Sequence, residues 1–139
     1  MFRHILVPID LSDRNERTIR TALALARQTR ARVTLLHVIQ RVPDLPFGGL
    51  RDFYKRLETA SVGKLVRVAR QFAARRVRVE TEICIGEPAR DIVRIAAKRA
   101  IDLIVMGSHK VRPGRPAAGW GTTSYKVGVF CRCPILLVK

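Results

Sequence analysis

Residues 33–39 read VTLLHVI, a run that is rich in β-branched residues and almost entirely apolar. A strand that is buried on both faces has this composition, which is typical of parallel sheets covered by helices on both sides. Similar short apolar runs occur at residues 5–9 (ILVPI), 101–106 (IDLIVM) and 134–138 (PILLV). Residues 77–83 instead alternate Val, Thr and Ile with charged side chains. This alternation predicts a half-exposed strand at an edge of the sheet.

Between these runs the apolar residues recur with the spacing of helices. The first helix begins near Ser12, with Asp13 and Glu16 spaced as in a capping box. A long second helix begins at Leu50, a third follows the turn at residues 86–88 (GEP), and a short fourth follows Gly121. The expected buried faces of the first and third helices contain the following residues: Ile19, Ala22, Leu23 and Ala26; Ile92, Val93, Ala96 and Ala97.

The resulting order is β-α-β-α-β-α-β-α-β. This alternation predicts an α/β fold, a three-layer sandwich in which a five-stranded parallel sheet carries helices on both faces. The length of 139 residues is close to the commonest domain size, so we expect residues 1–139 to form a single domain.

The charge of the chain is unusual for a domain of this size. Twenty-seven basic residues, of which 21 are Arg, stand against 11 acidic residues and give a net charge of +16. Two explanations remain open at this point: an anionic partner, because arginine forks suit phosphates and carboxylates, or a compositional bias towards Arg that also favours solubility. Because no nucleic-acid motif is present, we expect polyanion binding to be weak and nonspecific. Such binding should fade between ~50 and ~200 mM salt.

Several classes of protein and site do not fit the sequence. No stretch approaches the ~20 apolar residues of a membrane span, so no membrane association is expected, and the run at residues 5–9 is too short for a signal peptide. Three cysteines, Cys84, Cys131 and Cys133, form no disulfide framework, which is typical of a cytoplasmic protein. The single residue between Cys131 and Cys133 does not match the common zinc spacings, so no metal site is expected.

Ligands of open α/β sheets bind outside the carboxyl ends of the strands, where the strand order reverses. Three segments of this chain should meet there, and they contain Pro8, Ile9 and Asp10, then Val38, then Met106 and Gly107. The loop after Gly107 is rich in glycine and basic residues and leads into hydroxyl residues at the start of a helix. Glycine-rich backbone and a helix amino terminus suit an anion, although an ordinary surface loop before a capped helix explains the same residues.

Known nucleotide and catalytic motifs do not match this loop. Gly114 and Gly119 have the spacing of a phosphate-binding loop, but Trp120-Gly121 stands where Lys-Ser/Thr is required. No G-x-S-x-G elbow occurs, and His109 has no nucleophile and acid with which to form a triad. We therefore predict no catalytic residues and do not expect an enzyme, with slow ATP hydrolysis left open.

The segments at residues 5–10, 33–38, 86–88 and 102–109, together with the ending at residues 121–138, resemble the universal stress protein family in the right order along the whole chain. This resemblance implies a Rossmann-like sheet of strand order 3-2-1-4-5, of the adenine-nucleotide alpha-hydrolase type. It further implies a cytoplasmic stress-response protein that forms a homodimer through the last strand, residues 134–138. The regulatory ligand would be ATP or another adenine nucleotide, with Mg²⁺ as a potential companion.

Family members that bind ATP show a Gly-x2-Gly-x9-Gly-Ser/Thr pattern in the last loop. Gly107 matches its first glycine and Gly121-Thr122 its final pair, but Lys110 replaces the middle glycine and ten residues follow it rather than nine. The Lys110 side chain would either contact a phosphate or occupy the phosphate space. The resemblance implies that the nucleotide-binding residues are Pro8, Ile9, Asp10, Val38, Met106, Gly107, Lys110, Gly121, Thr122, Thr123 and Ser124.

The alternative function is that of a nucleotide-free stress or interaction module. It would act through dimerisation or through an anionic partner, including nonspecific nucleic acid.

Overall fold

The computed structural model describes residues 1–10, 12–42, 47–108 and 123–139, with the backbone alone at 47–49. Its strands are β1 (His4–Pro8), β2 (Arg32–Gln40), β3 (Val79–Gly86), β4 (Leu103–Gly107) and β5 (Ile135–Val138). Its helices are α1 (Glu16–Thr29), α2 (Phe47–Ala74), α3 (Pro88–Lys98) and α4 (Thr123–Phe130), and a 3₁₀ turn covers Asp13–Asn15. The strands form one parallel sheet in the order β3-β2-β1-β4-β5. The predicted fold class and strand order are confirmed.

The sheet has two apolar faces because successive side chains of a strand point to opposite sides. Ile5 and Val7 of β1 pack with α1 and α2, where Phe72 is fully buried. Leu6 belongs to the other core, with residues of α3 and with Val127 of α4. Both faces of the central strands are therefore covered, which explains why residues 33–39 are almost entirely apolar.

The edge position predicted for the third strand is confirmed, because β3 pairs only with β2 and is partly exposed along most of its length. Its bounds differ from the prediction, since it begins at Val79 and continues to Gly86. The buried face of α3 was also misassigned in part. Ile95 is buried there, whereas Ala97 is exposed and Val93 only half-buried.

The expected capping box at Asp13 and Glu16 is wrong. The Ser12 side chain caps the 3₁₀ turn by accepting from the Arg14 amide, and α1 begins only afterwards, at Glu16. Asn15 occupies the N-cap position of α1 without a side-chain capping bond. Its amide group donates instead to Asp10, so the local hydrogen bonds serve the preceding loop rather than the helix.

Helix α2 is much longer than the sheet that it covers. Its 28 residues correspond to about 42 Å, whereas the nine residues of β2 correspond to roughly 27 Å. The core residues of α2 lie in its second half: Ser61, Leu65, Val68 and Phe72. The first half begins after β2 and is exposed or half-buried at every residue from 50 to 60. Among the described residues, no helix is both long and apolar enough to cross a membrane.

A polar chain crosses the sheet near the starts of the strands, from the buried His4 and Thr34 to the exposed Glu80. Nε2 of His4 donates to Oγ1 of Thr34 at 2.7 Å, and that hydroxyl donates to Oε1 of Glu80 at 3.0 Å. Arg99 then binds the same carboxylate oxygen at 2.7 Å. Burial lowers the pKa of His4 below its ordinary 6.5, and the charge of Arg32 lowers it further, while Glu80 acts in the opposite direction.

We predict that acidification destabilises the protein through His4. The folded state keeps the ring neutral, whereas the unfolded chain protonates it near its ordinary pKa of 6.5, so the unfolded state binds more protons below that pH. The free energy of unfolding should fall as the pH drops from about 6.5 towards the lower folded-state pKa. The pKa of Glu80 also lies below its ordinary 4.5, so protonation of Glu80 lowers the free energy of unfolding further at lower pH.

Urea titrations at pH 7.5, 6.5 and 5.5 test this, with His4→Gln as the comparison. The variant retains a donor for Thr34 but has no titrating ring, so its unfolding free energy should vary less over this range. Equal pH dependence in the two proteins would contradict the assignment.

Gly86 leaves room for the carboxylate of Asp91 at the start of α3. Oδ2 of Asp91 accepts from the Glu87 amide at 2.9 Å, and Asp91 is 6% exposed. A Cβ on Gly86 would overlap this oxygen and lie 3.1 Å from Cγ of Asp91. The last residue of β3 must therefore be glycine for Asp91 to hold the turn into α3.

We predict that Gly86→Ala lowers the free energy of unfolding by about 1–3 kcal/mol, because a displaced Asp91 leaves a hydrogen-bond donor or a charge unsatisfied. Gly63→Ala is the matched control, since its Cβ would meet nothing closer than the Arg67 side chain at 3.9 Å. Within helix α2 the same change should be neutral or stabilising by roughly 0.5–1 kcal/mol. Chemical denaturation measures both, and equal effects would refute the steric explanation.

Candidate functional site

The strand order reverses between β1 and β4, and open α/β sheets bind ligands in a crevice at the carboxyl ends of the strands that flank this point. β1 pairs with β2 along five residue pairs, from His4 to Pro8, but with β4 at only Ile5 and Leu6. β4 continues to Gly107 beyond this short ladder and pairs there with β5. The two central strands are therefore not hydrogen-bonded to each other where they end, which is where the strand order reverses.

Pro8 accounts for the end of the β1–β4 ladder. The amide of Ile9 donates to Leu36 of β2 at 2.8 Å, and the carbonyl of His4 accepts from Asp102 at 3.1 Å. Because backbone groups alternate along a strand, the nitrogen of Pro8 faces β4. Proline has no N–H, so it cannot donate to that strand.

Asp10 lies at the mouth of this crevice, and its carboxylate is oriented by its own loop. Oδ1 accepts from the Ser12 amide at 2.9 Å and from the Ser12 hydroxyl. Nδ2 of Asn15 donates at 2.9 Å both to this oxygen and to the Asp10 carbonyl. The bond from the Ser12 amide forms an Asx turn, and Asp10 itself is exposed. The loop thus presents a fixed, solvent-accessible carboxylate directly after β1.

Ile9 connects this loop to β2. Its side chain is buried and its carbonyl accepts from Nδ1 of His37 at 2.9 Å. Since the carbonyl can only accept, this ring nitrogen of His37 carries the proton. His37 therefore serves as a structural link between the ends of β1 and β2.

Val38 and Met106 face the same side of the sheet, against the core formed with α3 and α4. Val38 is half-buried and Met106 is 5% exposed. Gly107 follows Met106 and lies against α1, where a Cβ would come within 3.3 Å of Oγ1 of Thr18. The structure thus brings the ends of β1, β2 and β4 to one edge, as the sequence predicts.

Two of the hydroxyl residues open α4. Thr123 is half-buried and Ser124 is 7% exposed, in the first turn of a helix that Val127 anchors in the core. Lys110, Gly121 and Thr122, which sequence reasoning also assigned to this site, lie outside the described residues.

Two of the three thiols, those of Cys84 and Cys133, are unsuited to nucleophilic chemistry. Sγ of Cys131 and Sγ of Cys133 lie 3.2 Å apart, and burial together with Cys131 raises the pKa of Cys133 to about 12. Burial also raises the pKa of Cys84. A thiolate is the reactive form of cysteine, so Cys84 and Cys133 stay protonated. Within the described ranges, no group of three His, Cys, Asp or Glu residues is arranged to hold a metal ion.

Sequence reasoning missed two residues that shape the site. Asn15 holds the Asp10 loop, and the buried Thr18 sets the distance between α1 and Gly107. The Asx turn carries a local signal, because Asp10 is followed two residues later by Ser12. The position of Thr18 carries no such signal, since it depends on how α1 packs across β4.

Comparison with known proteins agrees with this geometry. The chain is 31% identical to the universal stress protein YxiE of Bacillus subtilis, and the match covers all of both chains. The structure of the universal stress protein UspA from Lactobacillus plantarum superimposes with a TM-score of 0.81 at 27% identity, over 99% of this chain and 98% of that one.

Two further universal stress protein structures contain adenine nucleotides. A complex with cAMP has a TM-score of 0.78 at 19% identity and covers 99% of this chain and 97% of that one. A complex of the Archaeoglobus fulgidus protein with dAMP has a TM-score of 0.65 at 23% identity, over 99% of this chain and 98% of that one. The sequence model of the universal stress protein family matches residues 1–139. The chain therefore belongs to the universal stress protein family.

Proposed function

We propose that this chain binds an adenine nucleotide as a regulatory ligand in the crevice between β1 and β4, with ATP as the favoured ligand and Mg²⁺ as its companion. The observation that carries the proposal is the interrupted β1–β4 ladder, which opens the sheet beside the oriented carboxylate of Asp10. Related structures with cAMP and dAMP support the choice of adenine.

The proposed binding mode follows from the chemistry of each group. Asp10 accepts hydrogen bonds from the sugar or the base, and the backbone near Pro8, Ile9, Val38 and Met106 lines the adenine pocket. The phosphates lie between Gly107 and the start of α4, with Lys110, Gly121, Thr122, Thr123 and Ser124 as their partners. The proposed role of the nucleotide is that of a regulatory ligand, with slow ATP hydrolysis left open.

A second candidate function is a nucleotide-free interaction module of the stress response. The sequence favours it at one position, because Lys110 stands where ATP-binding relatives have glycine. The two candidates differ in a measurable way, since only the first requires the native state to bind adenine nucleotides.

We predict that ATP, ADP, AMP and adenosine each raise the apparent unfolding temperature, with ATP most effective in the presence of Mg²⁺. A ligand that binds only the native state adds about 2.7 kcal/mol to the unfolding free energy at a concentration of 100 times its Kd. Asp10→Asn should weaken the binding of adenosine and of ATP by the same factor, roughly tenfold or more, because Asp10 contacts the nucleoside that both ligands share.

Asp52→Asn is the matched control, because it removes one exposed carboxylate from α2 and should leave all four affinities unchanged. Thermal-shift titration and calorimetry measure both variants. If none of the four ligands stabilises the native protein, the nucleotide proposal fails and the interaction module stands.

We further propose that the protein acts in the cytoplasm as a homodimer joined through residues 134–138. β5 is an edge strand that pairs only with β4, and Leu136 and Leu137 are 38% and 44% exposed. Val129 and Phe130 at the end of α4 are also exposed, at 57% and 71%. An open edge beside exposed apolar side chains is a surface that proteins normally cover.

We predict that light scattering at tens of micromolar protein gives twice the 15.7 kDa mass of the chain. Leu137→Glu should give a monomer, because a buried carboxylate without a partner opposes association. Val62→Glu, at a similarly exposed position on α2, should remain dimeric. A monomeric wild-type protein would contradict the proposal.

A further inference from the structure

A second cavity lies at the opposite end of the sheet, where the strands begin. It has a volume of about 520 Å³ and lies between the carboxyl ends of α1 and α2 and the starts of β1, β2 and β3. Seven of its ten lining residues are arginines. Arg32 at this end is separated from Val38 by six residues of β2, or roughly 20 Å, so the cavity is distinct from the proposed nucleotide site.

Arg32 and Arg78 lie opposite each other at the starts of neighbouring strands, and Arg3 lies near them, one residue out of register with Arg32. Arg3 precedes β1, Arg32 begins β2 and Arg78 precedes β3. The Arg32 amide donates to the Arg3 carbonyl at 3.0 Å, and the Val33 amide donates to the Arg78 carbonyl at 2.8 Å. Neighbouring strands are only about 4.8 Å apart. Like charges directly opposite each other on neighbouring strands are destabilising, and an anion bound between Arg32 and Arg78 would offset this repulsion.

The other four arginines come from two helix ends. Arg27 and Arg30 belong to the end of α1, and Arg75 and Arg76 follow α2. Arg30 and Arg76 have positive φ values of 57° and 61°, which turn the chain from each helix towards the next strand. Basic residues at a helix carboxyl terminus offset its dipole, which amounts to about −0.5 charge per helix. The dipoles of the two helices together therefore offset about one of the seven positive charges.

Carboxylates do not neutralise the remaining positive charges of the cavity. Within the described ranges, the ion pairs between basic and acidic side chains involve Arg20, Lys64, Arg90, Arg94 and Arg99, and none of the seven cavity arginines. Asp102 accepts instead from the backbone amides of Arg3 and His4, at 2.8 and 3.1 Å. Glu80 binds Arg99. The seven arginines are exposed, and among the described residues none of them forms an ion pair with a side-chain carboxylate.

The lining of the cavity selects the class of ligand. Guanidinium groups donate two parallel hydrogen bonds to phosphate oxygens. The remaining lining residues are small and apolar: Ala26, Ala31 and Val77. Because no aromatic side chain lines the cavity, it offers no platform on which a base could stack. We propose that this arginine cavity binds an inorganic oligophosphate, a compact chain of phosphates that is recognised by its charge and oxygen geometry alone.

Tripolyphosphate is the probe that tests this proposal. Calorimetry at fixed ionic strength should show that it binds at least about tenfold more tightly than orthophosphate, because several forks then act on one ligand. The triple variant Arg27→Gln, Arg32→Gln, Arg78→Gln should lose roughly tenfold or more in affinity. The control Arg51→Gln, Arg56→Gln, Arg67→Gln removes the same charge from exposed positions of α2 and should stay within about twofold.

Three outcomes would overturn the proposal. Equal losses in the two triple variants would show that net charge alone attracts the ligand. No loss in the cavity variant would place tripolyphosphate elsewhere, including the phosphate part of the proposed nucleotide site. Tighter binding of a 12-base-pair DNA duplex than of tripolyphosphate, with loss of that binding in the cavity variant, would make the surface a nucleic-acid site.

A charge-conserving variant keeps the test valid if the Gln triple does not fold. Arg27→Lys, Arg32→Lys, Arg78→Lys retains every positive charge but replaces three planar forks by ammonium groups. Its affinity for tripolyphosphate should fall by about threefold or more, since one bidentate contact per residue is lost. Unchanged affinity in this variant would also refute the proposed contacts.

Discussion

β1 forms hydrogen bonds with β2 along its whole length but with β4 at only two positions, and the rest of the molecule is arranged around this unequal pairing. The long ladder with β2 brings the starts of β1, β2 and β3 to one end of the sheet, where Arg32 lies opposite Arg78 and Arg3 lies one residue out of register with Arg32. The short ladder with β4 leaves the other end of the sheet open beside Asp10. Pro8 accounts for the different lengths of the two ladders, because its nitrogen faces β4 and carries no hydrogen that could be donated.

Much of this architecture could be predicted from the sequence because it depends on local patterns. Apolar runs identified four of the strands, and the alternation at residues 77–83 identified the fifth as an edge strand. The errors occurred where tertiary packing decides. Ile95 is buried in α3 in place of Ala97 because the helix turns this side towards the sheet, and Asn15 supports the Asp10 loop instead of capping α1.

The arginine cavity shows a different limit of sequence reasoning. The excess of Arg over acidic residues is visible in the composition, but the seven arginines of the cavity lie in three separate segments of the chain. Only the register of β1 with β2 and of β2 with β3 brings them together. The candidate nucleotide site was more accessible to prediction, since the ends of parallel strands must share one edge. Its loop residues Lys110, Gly121 and Thr122 lie outside the described chain, so their part in binding stays a prediction.

The two halves of α2 differ in what holds them in place. The second half is anchored by Leu65, Val68 and Phe72, so it can unfold only together with the core. The first half extends past the carboxyl end of the sheet, and its described link to the rest of the chain is the hydroxyl of Tyr54, which accepts from the Val42 amide at 2.7 Å. Isolated helical turns in water are only marginally stable. This half can therefore fray and re-form in local opening events that leave the core intact, at a free energy well below that of global unfolding.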